Sequence, residues 1–187
     1  MNRIIFTSGT PGSGKTHLSN ELTRYLVNKN NKTVYIIHGD DFHQGFIEPE
    51  NKGDFFVEGE ASDQKHWNDI LNFNWGCIID TADRALKQNM DVVIDYVIED
   101  EFPMIKDLTI RNKAELYYIV LTADKDELIK RVTTRGDLDM IERSLFLKER
   151  LESMPENNGH IINTSNKTVK EIVESIDLDI YKVELYE

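Results

Sequence analysis

Three features of this 187-residue sequence predict an α/β fold of three layers, with helices on both faces of a five-stranded parallel sheet. Apolar segments that read as strands alternate with segments of helical periodicity along the whole chain. The strand segments are apolar without alternation, as strands covered on both faces are. Between the first strand and the first helix lies Gly9-Thr10-Pro11-Gly12-Ser13-Gly14-Lys15-Thr16, which fits G-x-x-x-x-G-K-[ST].

The first strand covers residues 3–8 and the first helix about 14–28, with Leu18, Leu22, Tyr25 and Leu26 at helical spacing. The polar run Asn28-Lys29-Asn30-Asn31-Lys32 ends it. Residues 33–38 are β-branched and apolar and form a second strand, followed by Gly39-Asp40-Asp41-Phe42-His43. Residues 43–62 lose periodicity and are rich in Gly, Glu and Phe, including Phe46, Phe55 and Phe56. A loop of that length in a small domain is expected to be functional or partly disordered. A long helix or bent helix pair spans about 63–88, with Trp67, Ile70, Leu71, Ile78, Ile79, Ala82 and Leu86 inward. Residues 91–97 are a third strand, 101–111 a short helix and 116–121 a fourth strand. Helices follow at 125–134 and 140–153, then a fifth strand at 160–164. A last helix at 168–176 is capped by Thr168 with Glu171 three residues on. No linker, repeat or low-complexity tract interrupts the chain, so a single domain over 1–187 is expected.

Strand, glycine loop and helix together make a phosphate-binding hypothesis. Gly9, Gly12 and Gly14 let the backbone curl so that amides point at phosphate oxygens, with Thr10, Pro11 and Ser13 completing the curl. The helix that follows begins with unpaired N–H groups and a positive dipole end. Lys15 would reach the β- and γ-phosphates and the Thr16 hydroxyl would ligate Mg²⁺.

The bulk numbers narrow the partners. A net charge of −12 argues against a nucleic-acid binder, which needs basic surface, but not against a local nucleotide site. Cys77 is the single cysteine, so no internal disulfide forms and a reducing cytoplasm is expected. The sequence enters a strand almost at once, and no apolar run nears the length of a membrane span. The five histidines have no zinc spacing.

Other residues gather at the expected carboxyl ends of the strands, where open parallel sheets bind ligands. One of Asp40 and Asp41 could accept a proton from a substrate hydroxyl and the other hold a magnesium-bound water; Asp40 is preferred as the base. Both also suit a turn or helix cap. Asp95 ends Val92-Val93-Ile94-Asp95, a pattern that holds Mg²⁺ through water or binds substrate. Arg131 and Arg135, four apart beside Gly136-Asp137-Leu138-Asp139, suit a lid that closes on the triphosphate, with Arg143 on the next helix. The loop Asn163-Thr164-Ser165 with Lys167 would border the nucleotide base. Trp67 and Trp75 read first as core, although Trp67 could wall an acceptor pocket.

Over nearly its whole length the chain resembles small P-loop kinases of the nucleoside-monophosphate-kinase-like superfamily. Gly39-Asp40-Asp41-Phe42-His43 resembles the Gly-Asp segment of gluconate kinases and adenylylsulfate kinases, and is similar to the corresponding segment of uridine and nicotinamide riboside kinases. Asp91-Val92-Val93-Ile94-Asp95-Tyr96 and Ile162-Asn163-Thr164-Ser165 are similar to a bacterial branch known as gluconate-kinase-like or AAA-family ATP-binding proteins, with chloramphenicol phosphotransferases and tunicamycin-resistance proteins as relatives. The resemblance implies a P-loop NTPase sheet of order 2-3-1-4-5, an acceptor region at about 40–75 and a short helical lid at about 131–145. It implies Asp40 as base or acceptor-orienting group, and Arg131 and Arg135 as lid arginines. No basic cluster follows His43 and no arginine follows the Asp pair, which speaks against gluconate and nucleoside monophosphates. An uncharged hydroxyl compound with an apolar part suits the aromatic loop better.

The expected function is a phosphotransferase moving the γ-phosphate of MgATP to a hydroxyl of a small molecule. Lys15, Asp40, Arg131 and Arg135 would be catalytic, Gly9 to Thr16 would bind ATP, and Thr16 and Asp95 would serve Mg²⁺. Asp40, Asp41, Phe42, His43 and Trp67 would meet the acceptor. The rival expectation is a nucleotide-gated regulatory module or slow NTPase. Partners would be ATP and the acceptor, without nucleic acid or membrane, in a monomer or homodimer.

Overall fold

In the computed structural model, which describes residues 1–46 and 66–185, strands β1 (Arg3–Gly9), β2 (Val34–His38), β3 (Asp91–Asp95), β4 (Glu115–Thr122) and β5 (Ile161–Asn163) form one sheet. All its pairings are parallel and its order is β2-β3-β1-β4-β5, as expected. From central β1 the chain runs to one edge, returns, and passes β1 to reach the other edge. The crevice over the carboxyl end of β1 is therefore where such sheets bind ligands.

Helices α1 (Lys15–Asn30), α2 (Trp67–Lys87), α3 (Phe102–Arg111), α4 (Lys125–Arg135), α5 (Met140–Ser153) and α6 (Val169–Ser175) surround the sheet. Side-chain alternation on the strands divides the core in two. Ile4, Phe6, Leu116, Tyr118 and Val120 face α2, α3 and Leu151 of α5. Ile5, Val93, Tyr117, Ile119 and Leu121 face Leu18, Leu22 and Leu26 of α1 and Ile172 and Val173 of α6.

Several boundaries move for local reasons. β3 ends at Asp95 rather than at residue 97, because the Ile98 N–H turns to Ser8 Oγ at 3.0 Å instead of a strand carbonyl. β5 shrinks to three residues, although the Thr164 N–H still donates to the Thr122 carbonyl at 2.8 Å. The capping box of Thr168 and Glu171 is present at α6. The aperiodic stretch after β2 begins as a 3₁₀ turn, Gly39–Gly45. The rest of that stretch, with Phe55, Phe56 and the expected helix start at residues 63–65, lies outside the described residues. Among the described residues no helix is long and apolar enough to cross a membrane.

The two tryptophans part company. Trp75 is buried, stacked on Phe6 with ring centroids 6.0 Å apart and edge-on to Tyr96 at 5.3 Å. Trp67, expected inward, is half-buried at the first turn of α2, beside a cleft rather than in the core. Truncating a buried aromatic leaves a cavity its neighbours fill only in part. Trp75→Ala is expected to lower stability by about 3–5 kcal/mol, read from the urea midpoint at unchanged slope.

Candidate active site

The glycine loop hangs from the end of β1 under tight steric control. Gly9 has φ 145°, and a Cβ there would sit 2.3 Å from the Leu121 carbonyl of β4. Gly14 takes the left-handed backbone (φ 95°) that starts α1, and its carbonyl accepts the Leu18 N–H at 2.9 Å. Of the loop's other carbonyls, Thr10 O is held from within the loop and those of Pro11, Gly12 and Ser13 from outside it. Thr10 O accepts Ser13 Oγ (2.7 Å) and Lys15 Nζ (3.4 Å). Pro11 O accepts Ser144 Oγ of α5 (2.7 Å), Gly12 O accepts Arg131 Nη1 (3.3 Å), and Ser13 O accepts Thr164 Oγ1 (3.0 Å). Carbonyls turned outward leave amides to face inward, and the first N–H groups of α1 lack intrahelical partners. A loop so held at a helix N-terminus is suited to cradle an anion.

A cleft of about 2130 Å³ opens in front of this cradle. Its walls include Thr10, Pro11, Gly12, Gly14, Lys15 and Thr16 of the loop, together with Asp40, His43, Trp67 and Tyr96. The segment after β2 sorts itself by 3₁₀ periodicity. Residues three apart share a face of such a turn, so Asp40 and His43 both meet the cleft. Asp41 and Phe42 are not among the cleft walls: Asp41 is exposed and Phe42 packs against the core. Gly39 allows the approach of Tyr96, whose ring a Cβ there would meet at 2.4 Å. Asp40 follows directly, and its charge acts on the Tyr96 hydroxyl. His43 Nε2 and Tyr96 OH are 2.6 Å apart, and the edge of Trp67 lies against His43 with centroids 5.4 Å apart. Burial lowers the His43 pKa against the opposing charge of Asp40, so its ring is neutral at pH 7 and accepts from the tyrosine.

Asp95 is buried at the carboxyl end of β3, in register with Thr7 of β1 and His38 of β2. Its Oδ2 lies 3.1 Å from His38 Nδ1. That hydrogen bond, joined by the charges of Asp95, Asp41 and Asp40, raises the His38 pKa above 6.5 despite partial burial. A raised folded pKa makes the contribution full below the unfolded value and lost as pH rises through the folded one. In magnesium-free buffer the wild type is therefore expected to lose stability relative to His38→Gln as pH climbs from 6 to 8, read by urea unfolding at each pH. A difference that stays flat or reverses across that window removes the assignment.

The two lid arginines differ. Arg131 is committed: Nε to Glu127 (2.9 Å), Nη1 to Gly12 O and Thr164 Oγ1 (2.9 Å), and Nη2 to Thr164 O (3.0 Å). Arg135 is exposed on the last turn of α4 and pairs with Asp137 at 2.6 Å, on the cleft rim. Arg143 also lines the cleft and pairs with Glu99 at 2.5 Å. The segment between α4 and α5 is only Gly136 to Asp139. A second cavity of about 210 Å³ lies behind the loop, walled by Gly12, His17, Arg131, Thr164, Lys167 and Ile172.

Tyr96 and Glu101 line the cleft and Ser144 holds Pro11 O, and the sequence alone assigns none of the three a role. Ser144 had a signal: a small hydroxyl on the buried stripe of α5 with Leu147 and Leu151. Tyr96 and Glu101 had none, because their place depends on where β3 leaves the sheet.

A family model described as an AAA domain matches residues 5–157. The chain belongs to the AAA domain family. Among curated proteins none matches it. Solved structures with the fold of this AAA domain include the Mycobacterium tuberculosis APS kinase CysC in complex with AMPPNP and APS, at TM-score 0.66 and 12% identity over 96% of each chain. A sugar kinase from Janibacter aligns at TM-score 0.61 and 15% identity, covering 93% of this chain and 91% of that one. The tunicamycin resistance protein of Deinococcus radiodurans aligns at 0.59 and 16%, covering 93% and 92%. The AAA domain described here thus has the P-loop kinase-like fold.

Proposed function

We propose that this protein is an ATP-dependent phosphotransferase whose acceptor is a hydroxyl of a small molecule. The observation that carries the reading is the sharing of one cleft by the phosphate cradle and the carboxylate of Asp40, which has no ion-pair partner among the described residues. The triphosphate lies on the amides from Gly12 to Thr16, with Lys15 released from Thr10 O onto the γ-phosphate. The base occupies the second cavity, against Arg131, Thr164 and Lys167. The acceptor oxygen attacks the γ-phosphorus, the bond to the bridging oxygen of ADP breaks, and Asp40 takes the hydroxyl proton. Arg131 holds Gly12 and Thr164 in place, whereas Arg135 is the arginine able to swing onto the phosphates. Positioning and charge stabilisation supply most of the rate in such transfers.

The residues suit Mg²⁺. The exposed Thr16 hydroxyl and the Asp95 carboxylate are hard oxygen donors, and no cluster of three acidic, His or Cys side chains occurs among the described residues. That fits an ion brought in with nucleotide phosphates rather than one caged by protein. Bound Mg²⁺ supplies charge neutralisation on the β- and γ-oxygens. Thr16 would hold it directly, and Asp95 through water.

The test is ADP release from MgATP with pooled sugars, nucleosides, vitamins and antibiotics. Release that depends on an acceptor is expected. Slow release indifferent to every pool would favour the regulatory module or NTPase instead.

A further inference from the structure

The acceptor half of the cleft differs in charge from the phosphate half. Asp40 has no hydrogen bond or ion pair to its carboxylate among the described residues. Glu101, on the same cleft, accepts through Oε2 from the N–H groups of Glu99 (3.0 Å) and Asp100 (3.1 Å), and no cation among the described residues lies within ion-pair distance. The nearby arginines are spent on another acid: Arg143 and Arg150 both pair with Glu99, at 2.5 and 2.9 Å. Burial first, then the charges of Asp40 and Glu101, push the Tyr96 pKa up, so both carboxylates act on that one hydroxyl. His43, held neutral by burial, adds no positive charge. Beside the two acids stand Trp67, Leu71, Tyr96 and Val97, an apolar and aromatic wall. Uncompensated carboxylates next to an aromatic face repel anions and attract cations.

We infer that the phosphate acceptor is an amino alcohol: a hydroxyl and a protonated amine on one apolar or aromatic frame, the hydroxyl at Asp40 and the amine at Glu101. This rests on the phosphotransfer reading for what happens to the hydroxyl, but the charge preference stands on binding alone. An acceptor acid would meet like charge at Asp40 and Glu101, neither of which has a cationic partner among the described residues. A neutral alcohol would bring Glu101 no positive charge.

Matched trios test it on the full chain: phenylalaninol, 3-phenylpropan-1-ol and phenyllactate on one frame; glucosamine, glucose and gluconate on another. Binding is read without nucleotide by quenching of Trp67 fluorescence, with Trp67→Phe as the blank, and turnover by ADP release. On at least one frame the amine is expected to bind about tenfold tighter than the neutral alcohol and tighter still than the acid. Glu101→Gln should erase most of that preference and Glu101→Asp restore part of it. If Glu101→Gln fails to fold, the ligand order on the wild type decides alone. Amines that bind no tighter than neutral alcohols on both frames, or acids that bind as well as amines, overturn the inference. A kept order of binding with no ADP release leaves the amine preference of the cleft standing and sinks the phosphotransfer reading instead.

Discussion

Lys15→Ala is expected to lower acceptor-dependent turnover by about 10³-fold, the scale of removing one well-placed charge from a developing transition state. ATP affinity should fall as well, because the same ammonium meets the triphosphate in the ground state. The side chain reaches the cleft from the first residue of α1 and makes one long bond, to Thr10 O at 3.4 Å. So little is lost structurally that the thermal midpoint should hold. Lys15→Arg is not expected to rescue, since a planar fork cannot fill the place of a compact ammonium. Turnover within tenfold of wild type would mean that the loop does not hold the reacting phosphate.

Asp40→Asn should cost turnover about 10²–10⁴-fold, the range of a positioned general base. The ATP dissociation constant should stay within about twofold, because Asp40 belongs to the turn after β2 and not to the glycine loop. Isosteric Asn keeps the turn, so circular dichroism and unfolding midpoint serve as controls. The split between a large loss in kcat and little loss in ATP binding separates a base from a residue that merely shapes the pocket. Wild-type phosphorylation by Asp40→Asn would remove the base assignment from Asp40.

Much of the fold was legible because its signals are local. Strand-length apolar runs, helical spacing in residues 14–28 and the capping box of Thr168 and Glu171 each concern neighbours within one or two turns. The glycine motif was legible for the same reason: a curl of eight residues is specified by those eight. Asp41 and Phe42 were harder. As a loop, the segment after β2 gives no reason to separate them from Asp40; as a 3₁₀ turn it separates them by one third of a revolution each. Trp67 and Trp75 lie on one helix with one apolar spacing, and only the position of the cleft shows which is core.

Composition and periodicity by themselves determined the layers, the place of the phosphate loop and the set of acids near it. Tertiary structure decided which of those acids carry their charge unopposed. Asp91, at the start of β3, is held by Arg3 and Lys32, 88 and 59 residues away in the chain. Asp95, four residues on, is held by His38 across 57 residues, and Asp40 by no side chain among those described. A carboxylate's chemistry depends on the nearest counter-charge in space. In a parallel sheet that neighbour comes from another strand, so sequence spacing carries no record of it.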